Sequence, residues 1–134
     1  MKYLQIKKED SIATVSINRP NSMNALSIEV LKEFCTLQEY FRKDLDTRVV
    51  IFTGEGDHFS AGADLKEKPQ LSTKLESWRN NFGKPAIKSI LDIDQITIAA
   101  VNGYCLGGAA CIVSACDFRI ASEVAILGYP EINL

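Results

Sequence analysis

The sequence has little of what marks a metal-binding, membrane or secreted protein. It contains one histidine and four cysteines among 134 residues, and no two cysteines have the C-x-x-C spacing of a zinc site, so we expect no metal. Its least polar stretch, 103–116, is too short to span a bilayer. Residues 1–5 lack the apolar core of a signal peptide. These absences predict a cytoplasmic protein with no membrane partner.

Neither sign of charge is in excess. The 15 lysines and arginines nearly balance the 17 aspartates and glutamates, which gives a net charge of −2. A nucleic-acid surface needs clustered basic residues, so we expect no nucleic-acid partner. Hydrophobic residues make up 46% of the chain and charged residues 24%, which predicts an ordinary globular domain with a core. Four reduced thiols in apolar surroundings are expected of the cysteines: Cys35, Cys105, Cys111 and Cys116.

Hydrophobic periodicity predicts strands that alternate with helices. Ala13, Val15 and Ile17 share one face at period two, as in a strand, and Ser27 is a good N-cap for a helix. Strands are predicted at 3–7, 12–18, 48–53, 96–101, 118–121 and 124–127, and helices at 27–45, 71–82, 85–92 and from 107 or 108 to 116. A chain with this alternation is expected to have an α/β fold.

Two segments of small residues follow apolar, strand-like runs. The first is 59–65, with the sequence FSAGADL, and the second is 100–110, with the sequence AVNGYCLGGAA. Side chains this small leave backbone N–H groups accessible. Two such loops at the ends of neighbouring strands can direct two N–H groups at one oxygen, which is the geometry of an oxyanion hole. Glycine-rich turns also serve close packing alone, and for either loop by itself both interpretations stay open.

Glu131 is the candidate acid or base. Its sequence neighbours are apolar, so we expect a desolvated carboxyl group whose pKa is raised toward neutrality, which suits proton transfer. A surface glutamate after a turn fits the composition equally well. The chain ends at Leu134 without a polar tail or a helix cap, which suggests a fragment of a longer protein.

Further short motifs accompany the two segments: Arg19-Pro20, Asn24-Ala25-Leu26, Cys116-Asp117 and Pro130-Glu131. In their order and spacing, these motifs and the two segments resemble the crotonase superfamily, the enoyl-CoA hydratase/isomerase proteins. The resemblance covers nearly the whole chain. It implies a spiral of ββα units, the ClpP/crotonase fold, in one α/β core domain over 1–134 that lacks the family's C-terminal part. It also implies a homo-oligomer, a trimer or a dimer of trimers, for a full-length chain.

The resemblance also implies an acyl-CoA thioester substrate, no separate cofactor and a role in fatty acid metabolism. The thioester carbonyl would accept hydrogen bonds from the N–H groups of Ala63 and Gly108. Five residues match family positions that line the coenzyme A groove: Ala25, Ala61, Asp64, Leu65 and Lys66. For two of them there is an alternative, a solvated side chain for Lys66 and a helix cap for Asp64.

Position 111 departs from the family's hydratases. Those proteins carry two glutamates, one of them three residues after the oxyanion glycine, whereas this sequence has Cys111 there and Glu131 at the second position. We expect Cys111 to be a buried wall residue of the acyl pocket, because a thiol is a poor hydrogen-bond partner for water, and a catalytic thiol is the alternative. Hydration divides its work between two carboxylates, but isomerisation needs one base. The sequence therefore favours an enoyl-CoA isomerase or related lyase chemistry, and a chain that binds acyl-CoA without turnover is the alternative.

Two ring-bearing residues near the first segment are predicted to have structural roles. His58 precedes the segment and is expected to be a solvated turn histidine. Trp78 is expected to pack on a helix face, in a region that borders the acyl pocket in the family.

Overall fold

Strands and helices alternate along the chain in the computed structural model, which describes residues 1–67 and 82–130. The strands are β1 (Leu4–Glu9), β2 (Ile12–Ile17), β3 (Val49–Gly54), β4 (Ile96–Val101), β5 (Tyr104–Leu106), β6 (Phe118–Ala121) and β7 (Ile126–Gly128). The α-helices are α1 (Ile28–Phe34), α2 (Leu37–Arg42), α3 (Gly83–Leu91) and α4 (Gly108–Ala115), and a 3₁₀ turn covers Pro20–Ser22. Trp78 and the predicted helix at 71–82, except Phe82, lie outside the described residues.

Five strands form one sheet in the order β1-β2-β3-β4-β6. The first two are an antiparallel hairpin in which Glu9 faces Ile12, so the turn between them consists of Asp10 and Ser11. The other neighbours, β2 with β3, β3 with β4, and β4 with β6, are parallel. Parallel neighbours need a crossover connection, which α1 and α2 supply between β2 and β3. A second, smaller sheet pairs β5 with β7, also in parallel.

The hydrophobic core joins the sheet to the helices. Phe34 of α1 packs against Phe52 of β3, with ring centroids 6.2 Å apart, and both are fully buried. Ala13, Val15 and Ile17 are buried as well, as their period-two spacing predicts. Burial of a side chain of this kind contributes about 1.5–3 kcal/mol, so these contacts are what fix the helices on the sheet.

The helix predicted over 27–45 is interrupted, and α1 and α2 are separate. At the break, the Thr36 hydroxyl donates to the Glu33 carbonyl at 2.7 Å. The N–H of Gln38, at the start of α2, donates to Ser89 Oγ in α3 at 3.0 Å. The Ser89 hydroxyl therefore accepts a backbone N–H that in an unbroken helix would donate to a carbonyl one turn earlier. Because Ser89 is distant in sequence, no local pattern predicts this contact.

The other elements lie close to their predicted positions. Strands at 96–101 and 118–121 are confirmed, the helix predicted at 85–92 is Gly83–Leu91, and the strand predicted at 124–127 is Ile126–Gly128. β5 was not predicted, because it has three residues and its neighbours are glycines and small side chains. Within the described ranges, every helix falls short of the length and hydropathy needed to cross a bilayer.

The four cysteines are unpaired but differ in exposure. Cys105 and Cys116 are buried, and desolvation raises their pKa values to about 11 and about 12, so both remain thiols near neutral pH. Cys35 is half-buried, and desolvation raises its pKa too. Cys111 is exposed, so the expectation that it is buried is wrong. It lies on the first turn of α4, on the side that faces a cavity described below.

Asp44 closes the turn between α2 and β3. Its carboxylate lies 2.5 Å from Lys8 Nζ and accepts the Thr47 hydroxyl at 2.6 Å, and its side chain is 8% exposed. The N–H groups of Asp46 and Thr47 also donate to it, each at 3.2 Å. These partners, with Lys8 first, hold the pKa of Asp44 well below its ordinary value.

We predict that Asp44→Asn lowers the free energy of unfolding at pH 7, and that the gap from wild type narrows below about pH 4. A carboxyl group with a depressed folded pKa stabilises the protein above its unfolded pKa, and that contribution is lost as the pH falls toward the folded pKa. Urea unfolding at neutral and acidic pH measures the gap. Asp46→Asn, at an exposed neighbour, is the control, and a gap for Asp44→Asn that is equal at both pH values would contradict the prediction.

Candidate active site

The first small-residue segment is an extended strip held between two other segments. On one side, the Leu26 N–H donates to the Gly62 carbonyl at 2.8 Å and the Asp64 N–H donates to the Leu26 carbonyl at 3.2 Å. In parallel pairing, one residue bonds to the two neighbours of the residue opposite it. Ala63 is that opposite residue, so its own N–H points away from Leu26. Within the described parts of the chain, the Ala63 N–H donates to no protein group.

On the other side, the strip is bonded to β5. The Ser60 N–H donates to the Tyr104 carbonyl at 2.9 Å, and the Leu106 N–H donates to the Ser60 carbonyl at 3.1 Å. Gly62 has a φ of 89°, and a Cβ at this position would lie 2.6 Å from the Leu106 carbonyl oxygen. A side chain would therefore push the strip away from β5, and only glycine permits this approach.

The second small-residue segment ends in a glycine turn that starts α4. Gly107 has φ 55° and ψ −120°, a conformation that other residues avoid, and its N–H donates to the Gly128 carbonyl at 2.8 Å. The N–H groups of Ala110 and Cys111 return to the Gly107 carbonyl. The Gly108 N–H has no acceptor among the described residues, as expected in the first turn of a helix.

Ala63, Gly108 and Cys111 line one cavity of about 760 Å³. The rest of its described lining is mostly apolar and comes from α1, α3, α4 and the segment before α1: Leu26, Leu31, Gly83, Lys84, Ile87, Lys88, Leu91, Asp92 and Ile112. The structure thus brings the two small-residue segments to one space, next to the positive end of the α4 dipole. Two donors at the edge of an apolar space suit an oxygen that acquires negative charge.

The five predicted groove residues do not line this cavity. Ala25 and Ala61 are half-buried on neighbouring segments, and their N–H groups donate to Ser22 and Met23 carbonyls at 3.0 and 2.9 Å. Leu65, 84% exposed, and Lys66 lie on the surface beside them. Ala25 and Ala61 are the sequence neighbours of Leu26 and Gly62, and Leu26 pairs with Ala63 at the cavity wall.

The Asp64 carboxylate is turned into the protein. It lies 3.0 Å from Arg19 Nη2, its side chain is 10% exposed, and it accepts the Lys66 N–H at 3.1 Å. The carboxylate therefore closes the turn that follows it, and since residues 65–66 form a turn and not a helix, the alternative of a helix cap is not confirmed.

His58 is half-buried, so the prediction of a solvated turn histidine is confirmed only in part. Its ring stacks on Tyr104 with centroids 4.6 Å apart, and its Nδ1 accepts the Tyr104 N–H at 3.4 Å. It is not among the residues that line the cavity. Glu131, the candidate base, lies outside the described residues.

Three polar residues make structural contacts that the sequence motifs containing them did not predict. Asn24 is buried, and its Nδ2 donates to the carbonyls of Glu55 and His58 at 2.9 and 2.7 Å. Asn102 donates to Gly54 and Gly56 at 3.0 and 2.7 Å. The third is Arg19, the partner of Asp64. An available signal was that both asparagines stand where a strand or turn ends, positions at which amide side chains often satisfy backbone groups.

The α1 helix is also fixed to the strip. The Glu67 carboxylate accepts the Ile28 N–H at 2.7 Å, and Ser27 Oγ accepts the Val30 N–H at 3.2 Å, which confirms Ser27 as the N-cap. Among residues 1–67 and 82–130, no three or more His, Cys, Asp or Glu side chains are grouped as a metal would require.

Solved structures share this fold. The crystal structure of an enoyl-CoA hydratase/carnithine racemase from Magnetospirillum magneticum superposes with a TM-score of 0.92 at 30% identity and covers 100% of this chain and 52% of that one. An enoyl-CoA hydratase from Bacillus anthracis gives 0.89 at 34% identity, over 98% and 52% of the two chains. The fold is therefore crotonase-like, as the sequence motifs predicted.

The chain belongs to the enoyl-CoA hydratase/isomerase family, whose sequence model matches residues 7–134. It is 38% identical over 130 residues to the short-chain-enoyl-CoA hydratase of Clostridium acetobutylicum, covering 96% of this chain and 50% of that protein. It is 31% identical over 147 residues to the peroxisomal Delta(3,5)-Delta(2,4)-dienoyl-CoA isomerase of Arabidopsis thaliana, covering 100% and 52%. The chain spans about half the length of the curated relatives it matches.

We predict that Gly62→Ala destabilises the protein more than Gly56→Ala. Both glycines have positive φ, which costs an alanine about 1–2 kcal/mol. At Gly56 the new Cβ would meet Pro20 at an ordinary 3.6 Å, whereas at Gly62 it would meet backbone at 2.6 Å and add a packing cost of about 1–3 kcal/mol. Urea unfolding of the two variants measures the difference, and equal losses would show that the strip can move away from β5 without cost.

Proposed function

We propose that this chain forms the oxyanion-binding part of an acyl-CoA-processing enzyme. The observation that carries the proposal is that Ala63 and Gly108 line one cavity while their N–H groups donate to no described protein group. A thioester carbonyl placed between them would accept two hydrogen bonds. When a proton leaves the carbon next to that carbonyl, the charge collects on the oxygen, where fixed donors stabilise it without reorganisation.

Helix α4 adds to this stabilisation. Gly108 is its first residue, so the Gly108 N–H is one of the free donors at a helix N-terminus, where the dipole favours negative charge. The loss of one such donor typically lowers the rate by about 10²–10³. Coenzyme A itself would lie beside the cavity, against Ala25, Ala61, Leu65 and Lys66.

The reaction we favour is a double-bond shift with Glu131 as the one base. Glu131 takes a proton from C2 of a 3-enoyl thioester, the dienolate oxygen rests between the two N–H groups, and the same proton returns at C4 to give the 2-enoyl product. Nothing is oxidised or reduced, and no water is consumed. Cys111 supports this choice, because it lines the cavity with a thiol that binds a reacting water poorly.

The curated relatives carry both reaction names. The Clostridium protein is named a hydratase and the Arabidopsis protein an isomerase, so the shared fold is compatible with either reaction. The exposed thiol at Cys111 also keeps the alternative of acyl-CoA binding without turnover. The cytoplasmic location, the oligomeric state and the place in fatty acid metabolism stay predictions.

The proposal predicts that the purified protein shifts the double bond of 3-enoyl-CoA faster than it hydrates 2-enoyl-CoA. It further predicts that Glu131→Gln slows the shift by about 10²–10⁴, the usual contribution of a positioned acid–base group. Ultraviolet absorbance of the conjugated thioester follows both reactions. Glu123→Gln, at an exposed position, is the control. Faster hydration than isomerisation would contradict the isomerase, and binding of acyl-CoA with equal turnover in Glu131→Gln would favour the non-catalytic alternative.

We predict that Cys111→Glu raises hydration of 2-enoyl-CoA, because it supplies a second carboxylate at the cavity wall. The rate gain should fall near the lower end of the range of about 10²–10⁴ that is typical of such a group, because the residues around position 111 do not orient the new carboxylate. Cys111→Gln has the same shape without the charge and should leave hydration at the wild-type rate. Equal rates in the two variants would show that a carboxylate at this position does not reach the reacting water.

A further inference from the structure

We propose that Arg19 and Asp64 form a positioning pair that holds the Ala63 amide in its orientation. The role of that amide rests on the proposed function, but the pair and its contacts are independent of it. Asp64 follows Ala63 directly, and the Arg19 side chain connects it to the segment on which the strip is paired. The pair thus acts on the residue next to the proposed oxyanion donor and contacts no substrate.

Arg19 makes two different contacts with two nitrogens of its guanidinium. Nη1 donates to the Ala25 carbonyl at 2.6 Å, and Nη2 lies 3.0 Å from Asp64 Oδ2. One rigid, planar group therefore joins the residue before Leu26 to the residue after Ala63. Lysine has a single nitrogen on a flexible stem and lacks this fork, so an arginine is specifically suited to the position.

The pair is largely removed from water. The side chains of Arg19 and Asp64 are 20% and 10% exposed, against 62% and 52% for the surface pair of Arg42 and Glu39. Exposed pairs contribute little because solvent screens them and two long side chains must be ordered. The Arg19 guanidinium also lies over the Tyr3 ring, 5.6 Å from its centroid, which adds a cation–π contact and restricts the side chain further.

The backbone alone holds this part of the strip weakly. The Asp64 N–H reaches the Leu26 carbonyl at 3.2 Å, the longer of the two bonds that flank Ala63. Beyond it, Leu65 and Lys66 are exposed. If the Arg19 contact is removed, Asp64 is kept in register by the 3.2 Å bond and, three residues further on, by the contact of Glu67 with the Ile28 N–H. Loss of that register turns the Ala63 N–H. A misplacement of about 1 Å in a reacting geometry can cost about 10²-fold in rate.

The test compares Arg19→Gln and Arg19→Lys with the matched control Arg42→Gln, which removes an exposed arginine from an ion pair. We expect Arg19→Gln to lower kcat for the 3-enoyl thioester by about 10–100-fold and to change KM much less. Arg19→Lys should recover part of that loss. Arg42→Gln should leave kcat at the wild-type value. Asp64→Asn combined with Arg19→Gln should be no slower than the slower single variant, because both remove the same contact. Wild-type kcat in a folded Arg19→Gln would overturn the inference.

A second readout does not depend on turnover. Amide hydrogen exchange measured by NMR should be faster at Asp64 in Arg19→Gln than in wild type, and unchanged in Arg42→Gln. If the wild-type protein turns over no thioester, the proposed function fails, but faster exchange at Asp64 in Arg19→Gln still supports the positioning pair. Unchanged exchange at Asp64 in Arg19→Gln overturns the positioning pair. If Arg19→Gln does not fold, Arg19→Lys and Asp64→Asn carry the same comparison.

Discussion

The close approach of Gly62 to β5 is the constraint on which the candidate site depends. Because Gly62 has no Cβ, its backbone can lie against the Leu106 carbonyl, and the strip from Ser60 to Asp64 fits between Leu26 and β5 with bonds on both sides. Those bonds decide where the remaining backbone groups point. The free direction of the Ala63 N–H is therefore a consequence of strand pairing.

An unbonded amide is costly only where water cannot reach it. Ala63 is exposed and Gly108 half-buried at the wall of the cavity, so water can satisfy both N–H groups until a ligand arrives. On the proposed function, the apolar part of the substrate removes that water and the carbonyl oxygen replaces it. The donors then act in a medium of low dielectric constant, where they are worth more. The fold thus keeps two amides available without a large loss of stability.

Much of this arrangement could be predicted from local patterns. Strands β4 and β6, the Ser27 cap and the two small-residue segments depend on residues next to one another in the chain. The break before α2, the packed state of His58 and the Arg19–Asp64 pair depend on contacts between distant segments, which no periodicity encodes. Cys111 was expected to be a buried wall residue because a thiol is a poor hydrogen-bond partner for water, but the first turn of α4 places it on the cavity side, where it is exposed.

The two kinds of group at the site respond differently to sequence change. A backbone N–H persists through any substitution that leaves the strand pairing intact, whereas an acid or base is lost with one side chain. Relatives named hydratase and isomerase both align with nearly the whole of this chain, as expected if the amide pair is the shared part and the surrounding side chains decide the reaction. On the proposed function, the position that would decide the reaction is Cys111, because it lies in the same cavity as both amides. A carboxylate there could hold a water against the bound thioester, and a thiol leaves the chemistry to one base.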